Sequence, residues 1–488
     1  MEDYPHNQAR NRTAAPPVRF ALEVIGKLSM SNENVVNDSL RAVTLASEHA
    51  KDYVSSINAR RVSPSPEAIA NLVHFNESLP KASVDPEAVI NMLHEYGSPA
   101  TVASTGGRYF GLVVGGSTPA SMGASILTSA WDQVAVLDAS APSAIHIERV
   151  AADWILELLN LPCQSSVGFT TGTSVANLVG LAAARNTQYE KLGINLSKVG
   201  MAGAPPLRIV LSEQAHVTVH KALGLLGFGK EQFITVACDK EGRMLADEFP
   251  DVGADTIICL QAGNVNSGAS DPFAEIITKA KSKGAWVHVD GAFGLWASAS
   301  RNKKYQVAGV ELADSWAVDA HKWLNTPYDC GIAICREPQA VHRVMTTLAP
   351  YLTQGADVPP KDMIPEFSRR SRGVEVWAAI KEMGSDGIEN LIDRCCQHAR
   401  RLAEGLQALG YEVLNDVVLN QVVATITKDG DLQTIISKAQ AEGECWFGAT
   451  TWQGKNAIRL SVSSWATTSS DIERTLESIG KATNSTDE

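Results

Sequence analysis

Ser315-Trp316-Ala317-Val318-Asp319-Ala320-His321-Lys322-Trp323 is an apolar run of strand length that ends in an aspartate, a histidine and a lysine. Leu324-Asn325-Thr326-Pro327 follows as a turn, and another apolar run occupies Gly331–Cys335. Outward from this stretch, runs of the same kind recur at Leu207–Leu211, Phe233–Ala237, Thr256–Leu260 and Ala285–Val289. Helical patterns intervene at Ser174–Glu190, Ala215–Leu226 and Pro272–Lys283. Short, nearly all-apolar strands separated by helices are buried on both faces, as in a mostly parallel sheet. The predicted class is therefore α/β, a central sheet with helices on both sides.

Beyond about Tyr351 the pattern changes. A Pro-rich segment from Val358 to Pro365 leads to predicted helices at Val374–Met383 and Ile388–Leu409, then strands at Val417–Ile426 and Ala457–Val462. Ser470-Asp471-Ile472-Glu473 reads as a capping box that opens a last helix, and Lys481 to Glu488 reads as a fraying end. This region is expected to be a small α+β domain. At the other end, a polar tail to about Val18 precedes helical patterning to about Tyr96. The expected division is an arm over 1–105, a large domain over 106–350 and a small domain over 351–488.

Composition narrows the function. The 488 residues carry 42 Lys+Arg against 54 Asp+Glu, a formal charge of −12, which argues against a nucleic-acid partner. No apolar run approaches the ~20 residues of a membrane span, so no membrane association is expected. No secretory signal is visible at the start. Eight cysteines include no C-x-x-C pair, which suits reduced thiols in a cytoplasmic setting.

Five features carry chemistry. Lys322 follows a strand end, where parallel sheets bind ligands; in partly apolar surroundings a lysine can lose its proton and attack a carbonyl. A plain surface lysine is the alternative. Asp290 ends the strand Val287-His288-Val289-Asp290, where a carboxylate can hold a protonated ring nitrogen, bind a metal or cap a turn. His288 shares its strand face, but two ligands are too few for a metal site, so none is expected. Phe169-Thr170-Thr171-Gly172-Thr173-Ser174 places small hydroxyl residues at a helix start, which makes either an anion cradle or an ordinary cap. His216 and His220 stand four apart; Val217 occupies the position where a zinc protease places Glu, so His216 reads better as an aromatic stacker. Finally, Ser368-Arg369-Arg370-Ser371-Arg372 offers arginines for a carboxylate clamp or for a solvated face. In this order the parts match the needs of a phosphorylated ring aldehyde: a cradle, a stacker, a carboxylate for the ring nitrogen and a lysine for the aldehyde.

The motifs His288-Val289-Asp290-Gly291-Ala292-Phe293, Asp319-Ala320-His321-Lys322-Trp323-Leu324 and Ser212-Glu213-Gln214-Ala215-His216 resemble those of the group II pyridoxal-phosphate-dependent amino acid decarboxylases. The resemblance covers roughly Gly106 to Thr468. It implies the aspartate-aminotransferase-like fold, pyridoxal 5'-phosphate as cofactor, decarboxylation of an L-amino acid and a homodimer. Carried over residue by residue, it implies that Lys322 binds the cofactor's aldehyde, Asp290 pairs with the ring nitrogen and His216 stacks on the ring. Thr173 and Ser174 would receive the phosphate, helped by His321, and Ala292 would pack under the ring. Lys322 or His321 would return a proton to the α-carbon, and Arg369 would hold the substrate carboxylate, with Arg370 and Arg372 as alternatives. Gln261 stands where the family commonly has threonine, Gly111–Gly116 lacks the aromatic and proline residues of a pocket wall, and the expected mobile loop, Thr353 to Glu366, has no tyrosine. These departures leave open an aldehyde-forming or carbon–carbon lyase outcome, or a non-catalytic cofactor-binding protein.

Overall fold

A computed structural model of the protein describes residues 32–347, 358–426 and 431–484. The expected tail before Val18, the first part of the predicted loop and the last four residues lie outside them. The described residues form two compact units. One comprises those up to Ser56 together with Pro66–Thr101; the other comprises Ile57–Ser65 and everything from Val102.

In the first unit, the 25-residue helix α1, Asn32–Ser56, is tied to the segment after Pro66 by polar contacts. Arg41 pairs with Asp85 and Glu87, and His49 meets Asn91 at 2.9 Å.

The second unit holds a seven-stranded sheet: β1 Ser166–Thr170, β2 Arg208–Ser212, β3 Phe233–Val236, β4 Thr256–Gln261, β5 Trp286–Asp290, β6 Ser315–Asp319 and β7 Gly331–Cys335. The order is β1-β7-β6-β5-β4-β2-β3. Only β7 runs against its neighbours. The segment from β6 to β7 is too short for a helical crossover, so the chain turns back antiparallel. Strand residues alternate between two cores. Val210, Ile258, Leu260, Trp316 and Val318 enter one, while Ile209, Leu211, Ile257, Cys259 and Ala317 enter the other. Both faces are thus buried, as the apolar runs require.

The helices that bear on the site are α2 Pro119–Trp131, α3 Pro142–Leu158, α4 Thr173–Lys191, α5 Val217–Leu225 and α6 Phe273–Ser282. Then come α7 Gly373–Ala408, α8 Leu432–Glu442 and α9 Ser469–Asn484. A four-stranded antiparallel sheet lies in the C-terminal part, ordered β10-β11-β9-β8 from β8 Tyr411–Val413, β9 Gln421–Ile426, β10 Gly448–Trp452 and β11 Lys455–Ser461.

The differences from expectation have local causes. Strand β1 carries Ser166, Gly168 and Thr170, which hide it from an apolar-run search; it stays because it pairs with β7 in full register. The two predicted helices after Val374 are halves of α7, interrupted where Gly384 adopts φ 63°. The cap of α9 is made two residues earlier than expected, at Thr468. Thr468 N–H donates to Asp471 at 2.9 Å, and Asp471 N–H donates to the Thr468 hydroxyl at 3.3 Å. Glu473 instead pairs with Arg401 at 2.7 Å. The helix runs on to Asn484, past the predicted fraying point.

One close approach fixes the site's frame. A Cβ on Gly331 would lie 2.3 Å from the Gly172 backbone carbon, so β7 can pass the turn before α4 only as glycine. Gly331→Ala is expected to destabilise the protein by about 1–3 kcal/mol. A lowered thermal midpoint would agree; an unchanged midpoint would show that the two segments can separate.

Candidate active site

The C-terminal ends of β5 and β6 bring together Asp290, Asp319, His321 and Lys322, facing the first turn of α4. Asp290 is buried at the last position of β5. Its Oδ1 accepts Ala292 N–H at 3.1 Å, and its Oδ2 accepts the Asn177 amide at 3.2 Å. Asn177 Oδ1 in turn meets His288 Nε2 at 2.9 Å, and His288 Nδ1 meets the Ser315 hydroxyl at 2.8 Å. Trp286 Nε1–H donates to the same hydroxyl at 3.0 Å.

The directions of these bonds follow from what each group can donate. A carboxylate only accepts, so Asn177 presents its amide N–H to Asp290 and its carbonyl to His288. The His288 Nε2 therefore carries the proton, and Nδ1 accepts from Ser315. Full burial pushes His288 down to about 3, so the ring is neutral and the chain keeps one direction. His288 is thereby a buried support for Asp290. Gly180 permits it: a Cβ there would lie 2.7 Å from the His288 ring.

Burial, opposed by His216 and Lys322 nearby, raises the Asp290 carboxyl above its ordinary value. A cation placed against it would favour the charged form. His216 is the N-cap of α5 rather than a member of an i,i+4 pair on that helix. Its Nδ1 lies 2.8 Å from Thr218 Oγ1, and burial lowers its pKa, which leaves a neutral ring. His220 instead packs against Phe233 at 5.8 Å.

Lys322 is half-buried, with Nζ 3.0 Å from Asp319 Oδ2. His321 Nδ1 accepts Cys330 N–H at 3.1 Å, so its Nε2 carries the proton and stands 3.7 Å from the same Asp319 oxygen. Burial lowers the His321 pKa, and the Tyr328 ring stacks on it at 4.4 Å. The other side of the Tyr328 ring is exposed. Thr173 opens α4; its N–H donates to Asp319 Oδ1 at 2.6 Å, while its buried hydroxyl has no hydrogen-bond partner among the described residues. Ser174 is exposed beside it. Ala292 joins the two strand ends, since its carbonyl accepts Asp319 N–H at 2.9 Å. Gln261 ends β4 in register with Asp290.

Of the expected site residues, the arginine differs most. Arg369 is buried and bound through both terminal nitrogens to Glu148, which also accepts from Ser371 at 2.8 Å. Such a pair holds α3 to the segment before α7, and a substrate carboxylate would have to displace Glu148. Arg370 pairs with Glu375 at 2.6 Å and Arg372 with Asp329 at 3.1 Å. An arginine that the sequence did not single out is Arg459 on β11. It is half-buried, its charge helps to lower the His216 pKa, and its side chain makes one hydrogen bond among the described residues, to the Val265 carbonyl at 3.3 Å. It borders a cavity of about 250 Å³ with Leu112, Ile436, Gln440 and Trp446.

Val113 and Val114 turn into the core. The aromatic surface instead comes from Trp446 stacked on Tyr109, at 4.9 Å. Gly111 makes room for it, since a Cβ would stand 2.1 Å from the Trp446 ring. Gly115 likewise admits the Lys322 carbonyl oxygen, which would lie 1.7 Å from a Cβ.

A strand-end lysine, a buried strand-end carboxylate and an unpartnered hydroxyl at a helix start suit a phosphorylated aldehyde with a basic ring nitrogen. The sequence model of the pyridoxal-dependent decarboxylase conserved domain matches residues 71–426. The chain belongs to the pyridoxal-dependent decarboxylase family. It is 30% identical over 294 residues to 4-hydroxyphenylacetaldehyde synthase of Rhodiola rosea, covering 57% of this chain and 58% of that protein. Aromatic-L-amino-acid decarboxylase of Bacillus atrophaeus is 24% identical over 460 residues, 89% of this chain and 92% of the relative. The crystal structure of Oryza sativa TDC with PLP and tryptamine superposes with a TM-score of 0.84 at 22% identity, over 93% of this chain and 99% of that one. The fold is that of fold type I pyridoxal-phosphate enzymes. Pyridoxal 5'-phosphate is the cofactor, and the reaction class is amino acid decarboxylation.

The neutral His288 sets a pH dependence. Its pKa is about 3 folded against 6.5 ordinarily, so on acidification the unfolded chain takes up a proton before the folded protein does. This contribution to stability is full above about pH 6.5 and is lost as pH falls towards 3. In thermal melts, His288→Gln should flatten the fall of the midpoint between pH 6.5 and 4. An equally steep fall in the variant would contradict the assignment.

Proposed function

We propose that this decarboxylase converts an L-amino acid to its amine and CO2, with Lys322 binding the cofactor's aldehyde and Asp290 holding the ring nitrogen protonated. The observation that carries this reading is the buried Asp290 carboxylate, oriented by Asn177, at a strand end beside the one that delivers Lys322. The cofactor supplies an electron sink for the pair released with CO2. His216 offers a neutral ring for stacking, Ala292 the floor, and Thr173 and Ser174 the phosphate cradle. His321, with its Nε2–H towards Asp319, lies on the lysine side of that cradle.

For the substrate carboxylate we propose Arg459 in place of Arg369. Its charge helps to lower the His216 pKa, and it carries no carboxylate partner among the described residues. A bidentate hold there orients the carboxylate, while Trp446 and Leu112 form an apolar wall for the side chain. Proton return to the α-carbon falls to Lys322 or His321; the Tyr328 phenol, stacked on His321, is a further donor of the chain's own.

A second reading keeps the site and changes the product. The segment Thr353 to Glu366 has no tyrosine, and one relative is named an aldehyde synthase. An oxygen-consuming route to an aldehyde would then release ammonia and hydrogen peroxide. We also propose a homodimer in a cytoplasmic setting, with 1–105 as an arm, 106–350 as the cofactor domain and 351–488 as the small domain. Support comes from the partly exposed Ile126, Leu127 and Trp131 on α2 and from cysteines that are all free.

The purified protein should be screened against the amino acids for CO2, amine, aldehyde and peroxide together. Amine and CO2 without peroxide support decarboxylation; aldehyde with peroxide supports the second reading. Lys322→Ala is expected to abolish turnover, and unchanged amine formation would sink the assignment. Arg459→Ala should lower kcat/KM roughly 10- to 100-fold, the worth of a charge-assisted hydrogen bond. An Arg369→Lys variant that instead lost substrate binding while keeping its melting point would restore the first arginine.

A further inference from the structure

Asp319 is used by none of the roles above, yet its side chain touches Thr173, His321 and Lys322. It is buried at the end of β6. One oxygen accepts the Thr173 N–H at 2.6 Å; the other lies 3.0 Å from Lys322 Nζ and 3.7 Å from His321 Nε2. It therefore engages the first N–H of α4 and the lysine at once. Those are the groups that a phosphate and an aldehyde on one molecule must reach. Beside it stands the Thr173 hydroxyl, buried and without a hydrogen-bond partner among the described residues, so the cradle has a donor to spare for a second anion.

We propose that Asp319 is an affinity-setting residue for the cofactor, an anion built into the cradle that competes with the phosphate for the Thr173 N–H. A phosphate carries close to two negative charges at neutral pH. An N–H at a helix start is shared poorly between two anions, and like charges within a few ångströms repel in a buried setting. The carboxylate thus opposes retention of the phosphate end while its contact with Lys322 keeps the lysine aimed across the cradle. An asparagine would keep the size and the acceptor oxygen, remove the charge and add a donor.

This inference rests on the placement of the phosphate at Thr173, and its test reads binding rather than turnover. The full-length protein is stripped of cofactor with hydroxylamine. Wild type and Asp319→Asn are then titrated with inorganic phosphate, pyridoxal phosphate and unphosphorylated pyridoxal, followed by calorimetry and visible absorbance. The expected result is roughly tenfold tighter binding of phosphate and pyridoxal phosphate by the variant, the equivalent of about 1.4 kcal/mol, with little change for pyridoxal. Phosphate binding that stays equal or weakens would overturn the proposal. An equal gain for pyridoxal would overturn it too, because Asp319 would then act through Lys322. If Asp319→Asn does not fold, Asp319→Ser gives the same readout. Lys322→Ala is measured in parallel: loss of its visible absorbance on adding pyridoxal phosphate preserves the lysine assignment whichever way Asp319 falls.

Discussion

A buried carboxylate must be surrounded by donors, and Asp290 imposes that condition on this fold. Isolated burial of the charge would cost several kcal/mol, so neighbours have to supply hydrogen bonds and positive charge. The chain Trp286–Ser315–His288–Asn177–Asp290 does the first, and it links β5, β6 and α4 through side chains alone. The glycine at 180 and the small Ala317 follow from it, because α4 must lie close on the sheet for Asn177 to reach. The pyridinium that Asp290 would face supplies the second.

The rest of the site is a matter of register. Parallel pairing sets Gln261 beside Asp290 and Asp290 beside Ala317, so β4 and β5 end level while β6 runs two residues further, to Asp319. The antiparallel β7 then returns the chain close past Gly172, at the start of α4. Lys322 and Thr173 come from segments far apart in sequence, yet both touch Asp319. The acidic surplus of the chain does not reach this cluster unopposed. Lys322, Arg459 and the start of α4 oppose Asp290 and Asp319, while most remaining charge lies at the surface, where it favours solubility.

The α/β class could be read from the apolar runs because burial on both faces leaves an unbroken signal along each strand. Edge strand β1 and the threonine-rich β10 gave no such signal: each is held by pairing with a partner more than by its own apolar content. Within the site, residues at strand ends and helix starts were legible because position itself restricts what they can do. Arg459 was not, since nothing local distinguishes it from other strand arginines, and only the tertiary fold brings β11 near His216. Arg369 shows the converse. A cluster of three arginines looks available in a sequence, but here each has a carboxylate of its own. His288 was read only as sharing a strand face with Asp290, and the link between them, Asn177, lies on a different element.

Everything proposed for the site requires that Lys322 bind the cofactor's aldehyde. The purified protein loaded with pyridoxal phosphate can be reduced with borohydride, digested and mapped by mass spectrometry. The structure predicts a single pyridoxyl-phosphate adduct, on the peptide carrying Lys322, and none in the Lys322→Ala variant. An adduct on another lysine, or none in a protein that releases CO2 from an amino acid, would contradict it.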